Sequence, residues 1–190
     1  MSLRIDFDMF KKDEAEIVHS GLLCSNTAHL MPQNMQLKSV IDLVQKDSVV
    51  YWVSNGDWIM HEMLTALLSI TGAADVYIST YAMGETSGRI VTQLKTGAMI
   101  KKLYTIIDSR VDIRTPGSHQ LIKAISDKTK LVDTHAKVTA IVSDTMKLVV
   151  IGSANYTENK RYECGIITTN ETAVDMQINW ITKALQDESK

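Results

Sequence analysis

From Ser48 onward the apolar positions follow two alternating patterns. Runs rich in β-branched and aromatic residues mark strands, whereas apolar residues three and four apart mark one face of a helix. Ser48 to Asn55 (SVVYWVSN) predicts a buried strand, and Asp57 then caps a helix, WIMHEMLTALLSI, that Gly72 ends. ADVYISTYAM predicts the next strand, TSGRIVTQLKTG a helix closed by Gly97, and MIKKLYTIID a third strand. Thr115, Pro116, Gly117 and Ser118 start a further helix, HQLIKAISDKTK. Two short apolar strands joined by a polar turn follow, then a strand, ECGIITTN, and a C-terminal helix, ETAVDMQINWITKALQ. This alternation predicts an α/β fold with a mixed, largely parallel sheet flanked by helices on both faces. Functional groups in such sheets gather where strands end.

Residues 1–47 follow another pattern. DEAEIVHSGLL and MQLKSVIDLVQKD have helical spacing, with the Pro32 segment as a break between them. They predict an N-terminal helical or mixed extension, 1–47, packed on a main domain, 48–190. Its expected role is to cover the core; a dimerisation or partner element is the alternative.

Composition narrows the class. A chain of 190 residues with 45% apolar residues is enough for one buried core. The uncharged runs fall short of a membrane span and MSLRIDFDMFKKDE contains no signal-peptide apolar region, so a soluble, cytoplasmic protein with no stable membrane association is expected. Cys24 and Cys164 lie far apart without metal-ligand spacing, which predicts two reduced, mostly buried thiols rather than a disulfide or zinc site. Trp52, Trp58 and Trp180 fall in apolar periodic segments and are expected in the core.

Net charge is -2, but the positive charge is unevenly spread. Residues 98–161 carry 11 basic and 6 acidic side chains, against 7 and 11 before them. That excess suits a polyanion, although a solvated mixed-charge surface would give the same count.

It surrounds the stretch with the densest chemistry. His135 and Lys137 open one of the paired short strands two positions apart, and Ser153 and Asn155 close the other two positions apart. In extended chain each pair shares a face. An odd loop of Asp144, Thr145 and Met146 would set His135 opposite Asn155 and Lys137 opposite Ser153, so that all four form one patch. Such a patch suits phosphodiester cleavage. An imidazole can attack phosphorus, a lysine can neutralise nonbridging oxygens, and a hydroxyl and an amide can donate as charge develops. Glu163, opening the next strand, could orient an imidazole by accepting its second N–H. The other histidines, His19, His29, His61 and His119, lack matched polar neighbours at strand spacing and are expected as surface or satisfied core residues, with contact to a partner subunit as the alternative for His61.

His135, Lys137, Gly152, Ser153, Asn155 and Glu163 together resemble the phospholipase D (HKD) superfamily, which carries HxK, then GSxN, then a glutamate opening the following strand. The element order from about residue 48 is similar to that family's single-motif domain. One departure stands out. The family writes HxKxxxxD, and Val142 occupies the aspartate's place, with Asp144 two residues later either as a replacement or as a turn former.

The resemblance implies a metal-independent phosphodiesterase that needs no cofactor. A chain with one motif is similar to small bacterial endonucleases that place one active site on the two-fold axis of a homodimer. One histidine would become a phosphohistidine while its symmetry mate protonates the leaving oxygen, since nucleophile and acid must face each other across one phosphate. The expected partners are therefore a second copy and nucleic acid, DNA first. The alternatives are a phospholipase or phosphatidyl transferase of the same superfamily and a noncatalytic nucleic-acid-binding module keeping the fold.

Overall fold

The computed structural model describes residues 27–30, 36–158 and 160–187. The proposed helix over DEAEIVHSGLL, together with Cys24 and His19, lies outside them. What is described of the N-terminal segment is a short strand, β1 (Thr27–Leu30), and a five-residue helix, α1 (Leu37–Ile41), shorter than MQLKSVIDLVQKD suggested.

From Ser48 the chain runs β2 (Ser48–Asn55), α2 (Met60–Thr71), β3 (Ala74–Thr80), α3 (Glu85–Thr96), β4 (Ile100–Asp108), α4 (Val111–Arg114), α5 (Pro116–Ile125), β5 (Lys128–Val132), β6 (Val138–Ser143), β7 (Lys147–Gly152), β8 (Tyr162–Thr168) and α6 (Glu171–Gln186). The described strands form one sheet in the order β1-β2-β8-β7-β6-β3-β4-β5. β1 is parallel to β2, and β3, β4 and β5 are mutually parallel. β2–β8, β8–β7, β7–β6 and β6–β3 are antiparallel. All strands except β6 and β8 therefore point one way, and the mixed, largely parallel α/β reading holds.

Each face buries its own core. On one face Trp52, Leu64, Leu67, Ile78, Leu103, Ile141, Val150 and Ile167 pack under α1, α2, α3 and α5. On the other, Val138, Ala140, Val149 and Ile106 meet Val174 and Ile181 of α6. The alternation along each strand divides its side chains between these layers. Trp52 and Trp58 meet edge to face at 4.8 Å inside the first layer, and Trp180 packs on the second. Cys164 is exposed, because its strand turns that position to solvent beside Ser153, so the expectation of a buried thiol fails there.

Three local readings need correction. The helix expected to run to Lys130 stops at Ile125; Ser126 turns extended and Lys128–Val132 pairs in parallel with β4 as an edge strand. Asp127 holds that break, accepting from the Leu103 N–H at 2.8 Å and from Lys95 at 2.7 Å. Asp57 does not cap α2: the Glu62 carboxylate takes the Ile59 N–H at 2.7 Å instead, while Gly72 ends the helix with φ 76° as expected.

The third concerns the hairpin register. Val142 pairs with Lys147 and Val138 with Ile151, so Lys137 stands opposite Gly152 rather than Ser153. The connection is even, not odd. Ser143 closes it: its N–H donates to the Met146 carbonyl at 3.0 Å, and its hydroxyl accepts from the N–H groups of Thr145 (3.2 Å) and Met146 (3.0 Å). A serine that satisfies two turn amides makes the tight connection the better one.

Candidate active site

Because β2, β3, β4, β5 and β7 point one way, their carboxyl ends share one edge of the sheet with the amino ends of β6 and β8. Ser153 and Asn155 follow β7, His135 and Lys137 precede β6, and Glu163 is the second residue of β8. A set scattered over 29 residues of sequence thus lies along one edge, as the strand-end rule requires.

Glycine makes part of this edge possible. A Cβ on Gly152 would stand 2.6 Å from the Cys164 carbonyl and 3.0 Å from Trp52 Cζ2. The glycine preceding Ser153 therefore lets the Trp52 indole lie across β7 and β8 beneath the site.

Beyond Gly152 the chain leaves the ladder in stages. The Ser153 N–H still donates to the Cys164 carbonyl at 2.9 Å, and the Cys164 N–H returns to Ser153 Oγ at 3.1 Å. The Ser153 hydroxyl donates to the Glu163 carboxylate, which joins these two candidates into one unit. Tyr156 then anchors the loop. It is buried, its hydroxyl meets Thr139 Oγ1 at 2.8 Å, its N–H reaches the Ala82 carbonyl at 3.1 Å, and its carbonyl accepts from Gly84 N–H at 2.7 Å. Burial pushes its phenol well above the ordinary tyrosine range. Asn155 is held between these anchors, its amide oxygen accepting from the Thr80 hydroxyl at 3.3 Å, which leaves the NH2 group as a donor.

His135 is exposed and Lys137 half-buried. The Lys137 ammonium donates to the His135 carbonyl at 2.7 Å, and both side chains lean on Tyr81, just past β3: the imidazole centroid is 4.4 Å from the phenol ring and the ammonium 5.5 Å. The even register would put these two on the opposite face from Ser153 if the ladder continued. What they touch is Tyr81, the residue after the Thr80 that bonds Asn155.

Sequence reasoning missed three residues here. Arg110, after β4, lies over the same Tyr81 ring, with Cζ 4.6 Å from its centroid. Asp108, wholly buried at the end of β4, accepts from Arg110 Nε at 2.6 Å and Nη2 at 2.9 Å. Those bonds, with further ones from the N–H groups of Arg110 and Thr134, hold its carboxyl far below the ordinary range against the opposing pull of burial. The available signal was positional: Tyr81, Asp108 and Arg110 all stand at or just after the ends of parallel strands.

Asp144 does not join this edge. It sits in the turn at the far end of β6, about 20 Å of strand away, where its carboxylate pairs with Lys101 at 2.8 Å and is 88% exposed. It is a turn former, not a site acid. The basic excess also divides: Lys101 and Lys147 pair with Asp144 and Asp175 away from the site, whereas Arg110 and Lys137 face it. His61 is buried between α2 and α3, its Nδ1 2.8 Å from Ser87 Oγ. Among the described residues no group of three or more His, Cys, Asp or Glu side chains could hold a metal ion, and no helix is long and apolar enough to cross a membrane.

No family model and no curated protein matches the sequence. Solved structures do resemble the fold. A polyphosphate kinase from Porphyromonas gingivalis superposes with a TM-score of 0.50 at 12% identity, over 75% of this chain and 27% of that one. TrmBL2, an archaeal chromatin protein, gives a TM-score of 0.40 at 14% identity over 70% of this chain and 51% of that one. The chain thus spans about a quarter of the kinase it resembles, and what the two share is a mixed α/β fold.

Proposed function

We propose that the chain is a metal-independent phosphodiesterase acting on nucleic acid, DNA first, with its active site shared between two copies. The observation that supports this reading is that His135, Lys137, Ser153, Asn155 and Glu163 all fall at one strand-end edge of the mixed sheet. The His135 imidazole nitrogen attacks phosphorus, the P–O bond to the leaving group breaks, and an imidazolium of the second copy gives its proton to the departing oxygen. Water then loses a proton to that second imidazole and attacks the phosphohistidine, which restores the first. Lys137 neutralises nonbridging oxygens, and the Asn155 NH2 donates to them. Glu163, fixed by the Ser153 hydroxyl, accepts an imidazole N–H and selects the tautomer for attack.

The test is plasmid cleavage in excess EDTA. Wild type is expected to cut, and His135→Ala to lose all measurable cutting while keeping its circular dichroism spectrum. Cutting that EDTA abolishes and His135→Ala retains overturns the mechanism; binding without cutting points to a noncatalytic module. A second reading, headgroup hydrolysis at a lipid surface, draws on Ile113 of α4, 85% exposed just past Arg110. Choline release from phosphatidylcholine vesicles would favour it.

A further inference from the structure

We infer that Arg110, clamped by Asp108 and stacked on Tyr81, grips a second phosphate beside the scissile one, which makes a polynucleotide, rather than a diester with a single phosphate, the substrate class of this site. The inference rests on the nucleic-acid reading above and deepens it.

The clamp is built from the inside. Asp108 is 0% exposed and accepts four hydrogen bonds: from Arg110 Nε at 2.6 Å and Nη2 at 2.9 Å, from the Arg110 N–H at 3.1 Å, and from the Thr134 N–H at 3.2 Å. A carboxylate so satisfied stays ionised and has no lone pair to spare for catalysis. Its effect is to fix the guanidinium. One edge of the fork is taken by Asp108 and one face lies on the Tyr81 ring at 4.6 Å. The Arg110 side chain nevertheless remains 47% exposed, and its described hydrogen bonds leave Nη1 unused. An arginine fixed by two partners has already lost the rotamer freedom that phosphate binding would otherwise take away.

Position decides which phosphate. β3 lies between β6 and β4, so Lys137 and His135 come to the Tyr81 ring from one neighbouring strand and Arg110 from the other. Those strand ends are two spacings apart, about 10 Å. Lys137 and Arg110 can therefore serve adjoining phosphates. A diester with one phosphate would bring no anion to the open Nη1 of Arg110.

The experiment measures binding, so it does not depend on turnover. Full-length His135→Ala is titrated against fluorescein-labelled single-stranded DNA by anisotropy in EDTA, across a salt series. The same is done with Arg110→Ala added. Because that change strands the buried Asp108 carboxylate, a paired variant, Asp108→Asn with Arg110→Gln, replaces the ion pair with neutral groups of similar shape. Both are expected to weaken binding on the order of tenfold and to lower the slope of log Kd against log salt by about one. Unchanged affinity and slope in the paired variant, or no DNA binding by the parent, overturns the inference. Binding that depends on Arg110 in a chain whose His135 form does not cut DNA sustains the inference and sinks the cleavage mechanism instead.

Discussion

Gly165 lies directly under the Trp52 indole: a Cβ there would stand 2.6 Å from Cζ2 and 2.9 Å from the Gly152 Cα, besides striking the Ile151 carbonyl. Two glycines paired across β7 and β8 thus make the floor on which a buried tryptophan rests, with Ser153 and Glu163 just above. Gly165→Ala has backbone and a fixed ring as obstacles, neither of which moves cheaply. It is expected to cost about 1–3 kcal/mol by overpacking, read as a lower urea midpoint. A midpoint equal to wild type would show that β8 shifts freely.

Asp144 occupies the turn at the opposite end of β6 from His135. Its pair with Lys101 is exposed on both sides, which makes it worth roughly 0–1 kcal/mol. Asp144→Asn is therefore expected to leave DNA cleavage within about twofold of wild type. A loss as deep as that of His135→Ala would return this residue to the site.

On the proposed mechanism Lys137 supplies a fixed charge where phosphate oxygens gather negative charge. Lys137→Ala is expected to lower kcat by about 10²-fold or more, as removal of one preorganised donor does elsewhere, while binding of DNA weakens far less. A variant whose entire loss lies in KM would make Lys137 a docking residue only.

A site shared by two copies has a signature in mixtures. Equal amounts of wild type and His135→Ala, unfolded together and refolded, should retain about a quarter of wild-type activity, because only one dimer in four carries both histidines. Half the activity would show that each copy works alone.

His61 gives a pH prediction. Burial lowers its pKa, with Glu62 and Glu158 opposing, so the folded chain takes up that proton at lower pH than the unfolded chain does. The contribution to stability is therefore complete above the unfolded value of about 6.5 and is lost as pH falls toward the lower folded value. Melting temperature should fall on acidification from pH 7.5 to 5.5, and His61→Gln should flatten that fall. Equal slopes in the two proteins would mean that His61 titrates alike folded and unfolded.

Much of the architecture was written locally. Periodicities of 2 and 3.6, glycines at helix ends, and the β-branched runs fixed the order from Ser48 to Gln186, and Glu171–Gln186 emerged with the bounds its pattern indicated. The HxK, GSxN and glutamate residues fell at strand ends for the same reason: polar residues closing an apolar run stand where the strand leaves the core. Three-dimensional packing decided the rest. The hairpin register depended on the Ser143 hydroxyl satisfying two turn amides, a side-chain choice that an alternating pattern does not encode. Lys128–Val132 became a strand because β4 offered an open edge. Tyr81 is separated from Asp108 and Arg110 by α3 and β4, and the three come together with His135 and Lys137 only because β3 inserts between β6 and β4. Local pattern sets which segment is strand or helix; which strand ends become neighbours is set by the order in which the sheet buries its two faces.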